Sequence, residues 1–245
     1  MMIKTTGLII REYLTGENDR IVAILTPNGL VRAFAKGSRK LSNSNLGATQ
    51  LLCFSSFDLS KSKDTYTVCS AKAIEIFFEL RNNITKLALA QYFCEAVKYF
   101  SDEDDDCSEV LRLTLNCLKF LCTDKFKEPL IKAIFELRLT CIAGYTPDLS
   151  CCVGCGNEDG RFFFSPIDGG IYCNNCAPVR YIEMPSAVLL AARHICYSPF
   201  DRIFSFKLED KHIPSLTKMS EKFFVTQADH KFGTLEFYNS LQEKI

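Results

Sequence analysis

The sequence predicts a multidomain α+β protein in which a small N-terminal β-barrel is followed by a helical domain with a cysteine-rich ribbon inserted into it. Three observations predict this organisation. Short segments of alternating apolar and polar residues come first, apolar residues at three- and four-residue spacing follow, and two C-x2-C pairs interrupt the helical pattern. The predicted boundaries are residues 1–80 for the barrel, 149–180 for the ribbon, and 81–148 with 181–245 for the helical domain.

The barrel is predicted from alternation in residues 7–11, 20–26 and 30–35, and from two further strand-like segments at residues 49–62 and 65–77. Turn signals separate the first three segments at Thr15-Gly16 and at Pro27-Asn28-Gly29. About five short strands in about eighty residues is the count of a small antiparallel barrel of the OB type. Periodicity alone fits an SH3-like barrel nearly as well.

Helices are predicted at residues 84–100, 108–122 and 128–145, where apolar residues recur on one face and Gly144 is placed to end the third helix. Short connections favour an antiparallel bundle. Residues 185–198 and 215–244 indicate further helices after the ribbon. The acidic run from Ser101 to Asp106 is interpreted as a solvated loop and first helical turn, since it lacks the glycine and spaced glutamate of an EF-hand.

The two cysteine pairs have the spacing of a four-cysteine zinc site. Cys152 and Cys155 form one C-x2-C turn, seventeen residues intervene, and Cys173 and Cys176 form the second. Two such turns can complete a tetrahedron around one structural Zn²⁺, and the intervening residues suggest a hairpin that turns at residues 168–170. Cys151 adjoins Cys152 and could replace it, although its spacing to Cys155 is less regular.

Other interpretations of the cysteines fit less well. A redox C-x-x-C pair needs a helix start beside a βαβ pattern, which two matched pairs on a hairpin do not supply. A catalytic zinc ion needs an open coordination position, which four thiolates do not leave. The nine remaining cysteines of the thirteen include several in apolar helical patterns, which is typical of small buried residues in a reducing compartment.

The charge of the chain is balanced overall but uneven locally. Twenty-nine basic residues balance 29 acidic ones, yet the segment 28–63 carries six cations against one acid. Lys36, Arg39 and Lys40 follow a predicted strand and precede the polar stretch "LSNSNLG", which is interpreted as a flexible loop suited to phosphate contact. A merely solvated loop is the alternative. The strand residues Phe34, Phe54 and Phe57 could stack on bases but are more typical of a barrel core.

The sequence shows no enzyme pattern and no membrane segment. Its three histidines, His194, His212 and His230, lie in no recognisable catalytic arrangement, so no catalytic residue is predicted. No run of about 18 apolar residues occurs, and the first residues lack the apolar region of a signal peptide. The expected location is therefore the cytoplasm.

Three blocks, in order and spacing, resemble the bacterial RecO family of recombination mediators: residues 7–40, the stretch "IFELRLTCIAGYTPDLSCCVGCG", and "HKFGTLEFYNSL" near the end. The resemblance implies an OB-fold, a helical domain and a zinc ribbon. It also implies binding of single- and double-stranded DNA, annealing of complementary strands, and work with RecR and single-stranded DNA-binding protein to load RecA at the bacterial nucleoid. The Ser- and Asn-rich basic loop and the absence of tryptophan depart from the family pattern.

Site predictions follow from the resemblance and from the local charge. Lys36, Arg39 and Lys40, helped by Arg11 and Arg32, are predicted to bind DNA. The resemblance places contact with the acidic tail of single-stranded DNA-binding protein on the helical domain. Arg138 is the predicted cation for that contact, and pairing of Arg138 with an acid such as Glu136 is the alternative. Lys132 and Arg138 cannot share a helix face, so at most one of them lines a groove. Arg138 is preferred because it lies in the block that carries the resemblance, and Lys132 is interpreted as a solvated residue.

A different class of function also fits the predicted domains. OB barrels and zinc ribbons occur in proteins that bind RNA or take part in transcription. Competition between single-stranded DNA and structured RNA at one salt concentration separates this alternative from a recombination mediator.

Overall fold

The fold is taken from a computed structural model that describes residues 1–63, 65–178 and 181–242. The chain divides into two compact units. One contains Met1–Thr123 together with Phe232–Ile245, and the other contains Asp124–Lys231. Within the described ranges, none of the helices combines the length and the apolar character that crossing a bilayer requires.

Five strands of the first unit close into a barrel: β1 (Met2–Thr15), β2 (Asp19–Thr26), β3 (Gly29–Ala35), β4 (Cys53–Ser62) and β5 (Thr65–Ile76). Their order is β1-β2-β3-β5-β4, with β3 and β5 parallel and the other pairs antiparallel. Alternate residues such as Val22, Ile24, Phe57 and Leu59 fill the interior, as the alternating pattern predicts. The predicted OB-type barrel is confirmed.

Strand β1 is much longer than its predicted core at residues 7–11. Its first half pairs with β4 from Met2 to Leu8, and its second half pairs with β2 from Leu8 to Thr15. The register shifts between Ile9 and Arg11, so that Ile10 is the extra residue of a bulge. A bulge bends a strand and redirects its side chains. The bulge therefore lets the two halves of β1 pair with different strands of the barrel, β4 and β2.

Three helices complete the first unit: α1 (Ile84–Phe100), α2 (Ser108–Thr123) and α6 (Gly233–Gln242). The Asn83 side chain accepts hydrogen bonds from the N–H groups of Thr85 and Lys86 and so begins α1. Phe232 packs edge-on against Tyr92 of α1 at 5.8 Å between ring centroids. This aromatic contact holds the start of α6 on α1.

The acidic run between α1 and α2 is fixed by its backbone. Its acidic side chains are exposed, as predicted, but the carbonyl of Asp102 accepts a hydrogen bond from Leu30 N–H, and Cys107 N–H donates to the Pro27 carbonyl, both at 2.9 Å. Gly29 has φ +107°, and a Cβ there would lie 2.2 Å from the Glu103 carbonyl oxygen. Only glycine therefore permits the β2–β3 turn to lie against this loop.

The second unit contains α3 (Glu128–Ile142), a four-stranded sheet, α4 (Ser186–Tyr197) and α5 (Ile213–Ala228). The strands are β6 (Asp148–Cys152), β7 (Phe162–Ser165), β8 (Gly170–Cys173) and β9 (Ile182–Met184), in the order β6-β8-β7-β9. The predicted hairpin is β7–β8. The predicted bundle of the first three helices does not form one unit, since α3 belongs with the ribbon and pairs with α5.

The interpretation of Lys132 as solvated is wrong. Its side chain is 1 % exposed and its Nζ lies 2.7 Å from Glu136 on the next turn of α3 and 2.8 Å from Glu221 on α5. The Ser220 hydroxyl donates to the second oxygen of Glu136 at 2.6 Å. Two carboxylates thus satisfy the buried charge of Lys132, and the hydroxyl binds one of them. The helical spacing of α3 could indicate Glu136 but not Glu221 or Ser220 of α5.

Candidate functional site

The predicted cysteine site is assembled in the structure. The sulfur atoms of Cys152, Cys155, Cys173 and Cys176 all lie within 4.8 Å of one another. The Cys155 and Cys173 sulfurs are 3.6 Å apart, close to the edge of about 3.8 Å that a tetrahedron with 2.3 Å metal–sulfur bonds requires. This distance is too long for a disulfide, whose sulfurs are about 2.05 Å apart. The four cysteines can therefore hold one metal ion.

Local backbone geometry produces the two cysteine turns. In the first, the N–H groups of Cys155 and Gly156 donate to the Cys152 carbonyl at 3.3 and 2.7 Å. Gly156 has φ +73°, a left-handed conformation that favours glycine. In the second, the N–H groups of Cys176 and Ala177 donate to the Cys173 carbonyl at 3.0 and 2.9 Å. Each turn therefore presents its two sulfurs on one side.

The environment of Cys152 favours a thiolate. Burial raises the pKa of the Cys152 thiol, but N–H groups of Cys173, Cys155 and Gly154 outweigh burial and lower the pKa to about 6. The N–H of Cys173 lies 3.2 Å from the Cys152 sulfur. Because thiolates are the form that binds metal, this arrangement fits a ligand rather than an inert buried cysteine. Cys151 lies outside the group of four, which resolves the ambiguity in favour of Cys152.

A basic and aromatic surface covers the outer face of strands β1 to β3. Arg11, Ala23 and Arg32 lie side by side in one row of the sheet, and Tyr13, Ile21 and Phe34 lie in the next. The Arg11 and Arg32 guanidinium carbons are 5.0 and 5.8 Å from the centre of the Tyr13 ring. We call Arg11, Tyr13, Arg32, Phe34 and Lys36 the barrel face.

The cations predicted to bind DNA are free to do so. Arg11, Arg32, Lys36 and Lys40 are exposed, and Arg39 is half-buried. In the part of the chain that the structure describes, none of the five forms an ion pair. Their role in DNA binding stays a prediction, but the geometry brings Arg11, Arg32 and Lys36 to one side of the barrel.

The loop that follows Lys36 is hydrogen-bonded to the start of β2 and within itself. Gly37 N–H donates to the Asp19 carboxylate at 2.6 Å, and Arg39 N–H donates to the Asn18 carbonyl at 3.0 Å. The Asn43 side-chain amide donates to the Gly37 carbonyl at 2.9 Å. These bonds shape the loop into consecutive turns beside the start of β2, and its flexibility stays a prediction.

Sequence reasoning only partly located the aromatic residues. Phe57 is in the core as predicted, whereas Phe34 and Phe54 are half-buried. Tyr13 was missed entirely. The sequence feature that could have identified Tyr13 is its two-residue spacing from Arg11 on β1, which is repeated by Arg32 and Phe34 on β3. This spacing places a cation and an aromatic ring on the same face of each strand.

Arg138 has a contact that its sequence position did not suggest. Its Nη1 donates to the carbonyls of Cys196 and Ser198 at 3.2 and 3.3 Å, where α4 ends. Its guanidinium carbon also lies 5.7 Å from the Phe200 ring centre. A cation at a helix C-terminus is favourable, because the exposed carbonyls carry partial negative charge. Contact of Arg138 with an acidic tail stays a prediction.

Comparisons with known proteins agree over nearly the whole chain. Residues 1–77 match the family model "Recombination protein O N terminal", and residues 81–236 match "Recombination protein O C terminal". A protein of Acetivibrio thermocellus named "DNA repair protein RecO" is 33 % identical over 98 % of this chain and 97 % of its own length. The protein of the same name in Caldicellulosiruptor bescii is 31 % identical over 98 % and 99 %.

Proposed function

Because the chain belongs to the RecO family and has a role in DNA repair, we propose that it is a DNA-binding recombination mediator that anneals complementary strands without catalysing a chemical reaction. The observation that carries this proposal is the barrel face, where exposed cations alternate with aromatic rings. Cations neutralise phosphates without regard to sequence, and aromatic rings stack on any base. Both properties suit a protein that binds single-stranded DNA of any sequence.

The cysteine site has a structural role in this proposal. Cys152, Cys155, Cys173 and Cys176 would hold one Zn²⁺, because four thiolates are the usual ligands of structural zinc. A bound zinc ion would contribute folding energy to the ribbon and leaves no position open for substrate.

The proposed partners follow from family membership. We propose that the chain binds single- and double-stranded DNA, works with RecR, and engages the C-terminal tail of single-stranded DNA-binding protein through the helical part that contains Arg138. RecA would then be loaded on the uncovered strand. The proposed location is the bacterial cytoplasm, at the nucleoid during repair.

Strand annealing tests the proposal directly. Two complementary oligonucleotides are each coated with single-stranded DNA-binding protein, and duplex formation is followed by fluorescence with and without this chain. We expect the chain to accelerate annealing, because it must bring two coated strands together. Equal rates with and without the folded chain would contradict the mediator function. Preference for structured RNA over single-stranded DNA in competition would favour the RNA-binding alternative.

The barrel face makes a second prediction about binding. Arg11→Ala with Arg32→Ala is expected to weaken single-strand binding across sequences and to make the salt dependence shallower by about 1.4, since each lost contact releases about 0.7 fewer counterions. Phe34→Leu is expected to weaken binding with little change in salt dependence, because stacking releases no counterions. Fluorescence anisotropy at several salt concentrations measures both effects.

A matched control removes two cations elsewhere in the same unit. Lys86→Ala with Lys119→Ala carries the same charge change on α1 and α2, at one half-buried and one exposed position, and should leave the salt dependence almost unchanged. The loop variant Lys36→Ala, Arg39→Ala, Lys40→Ala extends the test to the predicted loop. If the barrel-face variants have the same affinity and salt dependence as the control, these residues form a solvated surface that does not bind DNA.

A further inference from the structure

A cavity of about 390 Å³ lies beside the barrel face in the same compact unit. Its walls come from Ile10–Glu12 of β1, one face of α1, and the start of α6 at Gly233 and Thr234. The β1 wall coincides with the bulge at Ile10. Bulges often redirect side chains beside functional sites, and this one brings adjacent residues of β1 to the same cavity.

The helix wall of the cavity is chemically mixed. Gln91, Cys94, Glu95 and Lys98 recur at helical spacing, so they line one face of α1. Ile10 and Cys94 are buried, and burial raises the pKa of the Cys94 thiol to about 12. Cys94 is therefore a neutral, apolar part of the wall at physiological pH.

The acidic groups of the cavity already have partners. Glu95 accepts hydrogen bonds from the backbone N–H of Thr234 at 3.0 Å and from the Thr234 hydroxyl. Glu12 pairs with the buried Arg20 at 3.2 Å. Two carboxylates near the cavity are thus committed to holding the fold together.

The cations and the amide of the cavity have no such partners. Neither Arg11 nor Lys98 forms an ion pair with any residue that the structure describes, and over the same ranges the Gln91 amide makes no hydrogen bond. The cavity therefore offers two cations, one amide and an apolar wall that includes Ile10, Leu51 and Cys94. This combination fits an anionic ligand with a flat, partly apolar part.

Arg11 connects this cavity to the barrel face. The same side chain lines the cavity and lies against Tyr13 beside Arg32. A strand held on the barrel face would therefore pass the cavity mouth. A volume near the lower limit for small-molecule sites, about 300 Å³, leaves room for one nucleotide and not for a stack of bases.

We propose that this cavity receives one unstacked nucleotide of the single strand bound to the barrel face. Arg11 and Lys98 bind its phosphate, Ile10, Leu51 and Cys94 contact its base, and Gln91 hydrogen-bonds to the base edge. Holding one base out of the stack interrupts base stacking along the DNA strand. The inference rests on the proposed DNA-binding function and adds a site beside the barrel face.

Substitutions on α1 test the cavity without touching the barrel face. Lys98→Ala and Gln91→Glu are each expected to weaken single-strand binding about fivefold, the first by losing a cation and the second by placing a negative charge beside the phosphate. Lys98→Arg should restore binding, because it keeps the cation. Lys119→Ala, an exposed cation on α2, is the matched control and should have little effect.

Photocrosslinking locates the nucleotide directly. An oligonucleotide containing 4-thiothymidine is bound to the full chain, irradiated, and the crosslinked peptide is identified by mass spectrometry. We expect crosslinks in residues 91–98 in addition to the barrel strands. Crosslinks confined to the barrel strands, with Lys98→Ala and Gln91→Glu binding like wild type, would overturn the cavity proposal.

The outcomes separate this inference from the proposed function. Weaker binding by Arg11→Ala with Arg32→Ala, but unchanged binding by the α1 variants, discards the cavity and leaves the mediator function intact. No single-strand binding by the folded wild-type chain discards both. Loss of affinity for an acidic tail peptide in Lys98→Ala, with DNA binding unchanged, would make the cavity a protein-binding site and overturn the nucleotide assignment.

Discussion

Replacing Cys173 and Cys176 together by serine is expected to abolish the proposed metal binding and to unfold the ribbon. The two substitutions take away half of the four ligands, including the buried Cys173. Structural zinc contributes about 10 kcal/mol or more to the folding of zinc-finger peptides. Even part of that energy exceeds the effect of most single substitutions.

The loss should extend beyond the cysteines, because the ribbon sheet packs on α5. Phe164 of β7 is fully buried and meets Phe223 edge-on at 5.3 Å between ring centroids. Without metal, the two cysteine turns beside β7 and β8 are no longer connected to each other. The contact between Phe164 and Phe223 is then expected to weaken. We therefore expect exposed apolar surface and lower solubility, rather than the loss of a chemical step.

Metal analysis and thermal unfolding of the purified chain check this prediction. The wild type should contain one equivalent of zinc and should be destabilised by a chelator. Cys151→Ser is the matched control, since Cys151 adjoins the site but lies outside the group of four, and it should keep both metal and stability. Stoichiometric zinc in the Cys173→Ser, Cys176→Ser variant would show that the assignment is wrong.

The sequence predicts well the features that depend on short spacing. Helix α1 spans Ile84–Phe100 as predicted, because Asn83 caps its start and apolar residues recur on one face. The group of four neighbouring cysteines was predicted for the same reason, since two C-x2-C turns are local structures. The number of barrel strands followed from alternation, which is also a property of neighbouring residues.

Features that depend on distant residues escaped prediction. The first half of β1 is set by pairing with β4, from Met2 with Ser60 to Leu8 with Phe54, which are 58 and 46 positions apart in the chain. Strand β6 pairs with β8 across the cysteine turn, and β9 adds to β7 through three residues only. Short strands of this kind carry almost no periodicity, so only the assembled sheet identifies them.

Lys132 is the clearest case of a residue whose neighbours decide its role. A lysine at the middle of an amphipathic helix is usually solvated, since burying its charge is costly. In the structure, Glu221 of α5 supplies a second carboxylate from 89 positions away. The sequence of α3 contains Glu136 one turn later, but not the packing partner that makes burial possible.

Replacing Lys132 by methionine is expected to destabilise the unit that contains α3 and α5 by about 3–5 kcal/mol, the cost of leaving a buried charge without its partner. Methionine keeps most of the side-chain volume, so the loss reports charge rather than a cavity. Glu136, 0 % exposed, would remain in the α3–α5 contact without the charge of Lys132, while the Ser220 hydroxyl still donates to it. Urea unfolding should show a midpoint lowered by about 1–2 M, given a slope of about 2–3 kcal/mol/M.

The pH dependence of this variant identifies the cause. Burial raises the pKa of Glu136, while Lys132 and Ser220 act against burial. Removing Lys132 raises that pKa further. A carboxyl whose pKa is higher in the folded than in the unfolded state loses stability as pH rises above the unfolded value of 4.5. The stability loss of Lys132→Met should therefore be larger at pH 8 than at pH 5.

A second substitution separates charge from packing. Lys132→Met with Glu136→Gln removes both buried charges, while the amide oxygen can still accept the Ser220 hydrogen bond. We expect this pair to recover much of the lost stability and to lose the added pH dependence, because replacing a buried ion pair by neutral groups is often close to neutral. A Lys132→Met variant as stable as wild type at pH 8 would contradict the buried ion pair. A large loss that is equal at both pH values would instead assign the effect to packing between α3 and α5.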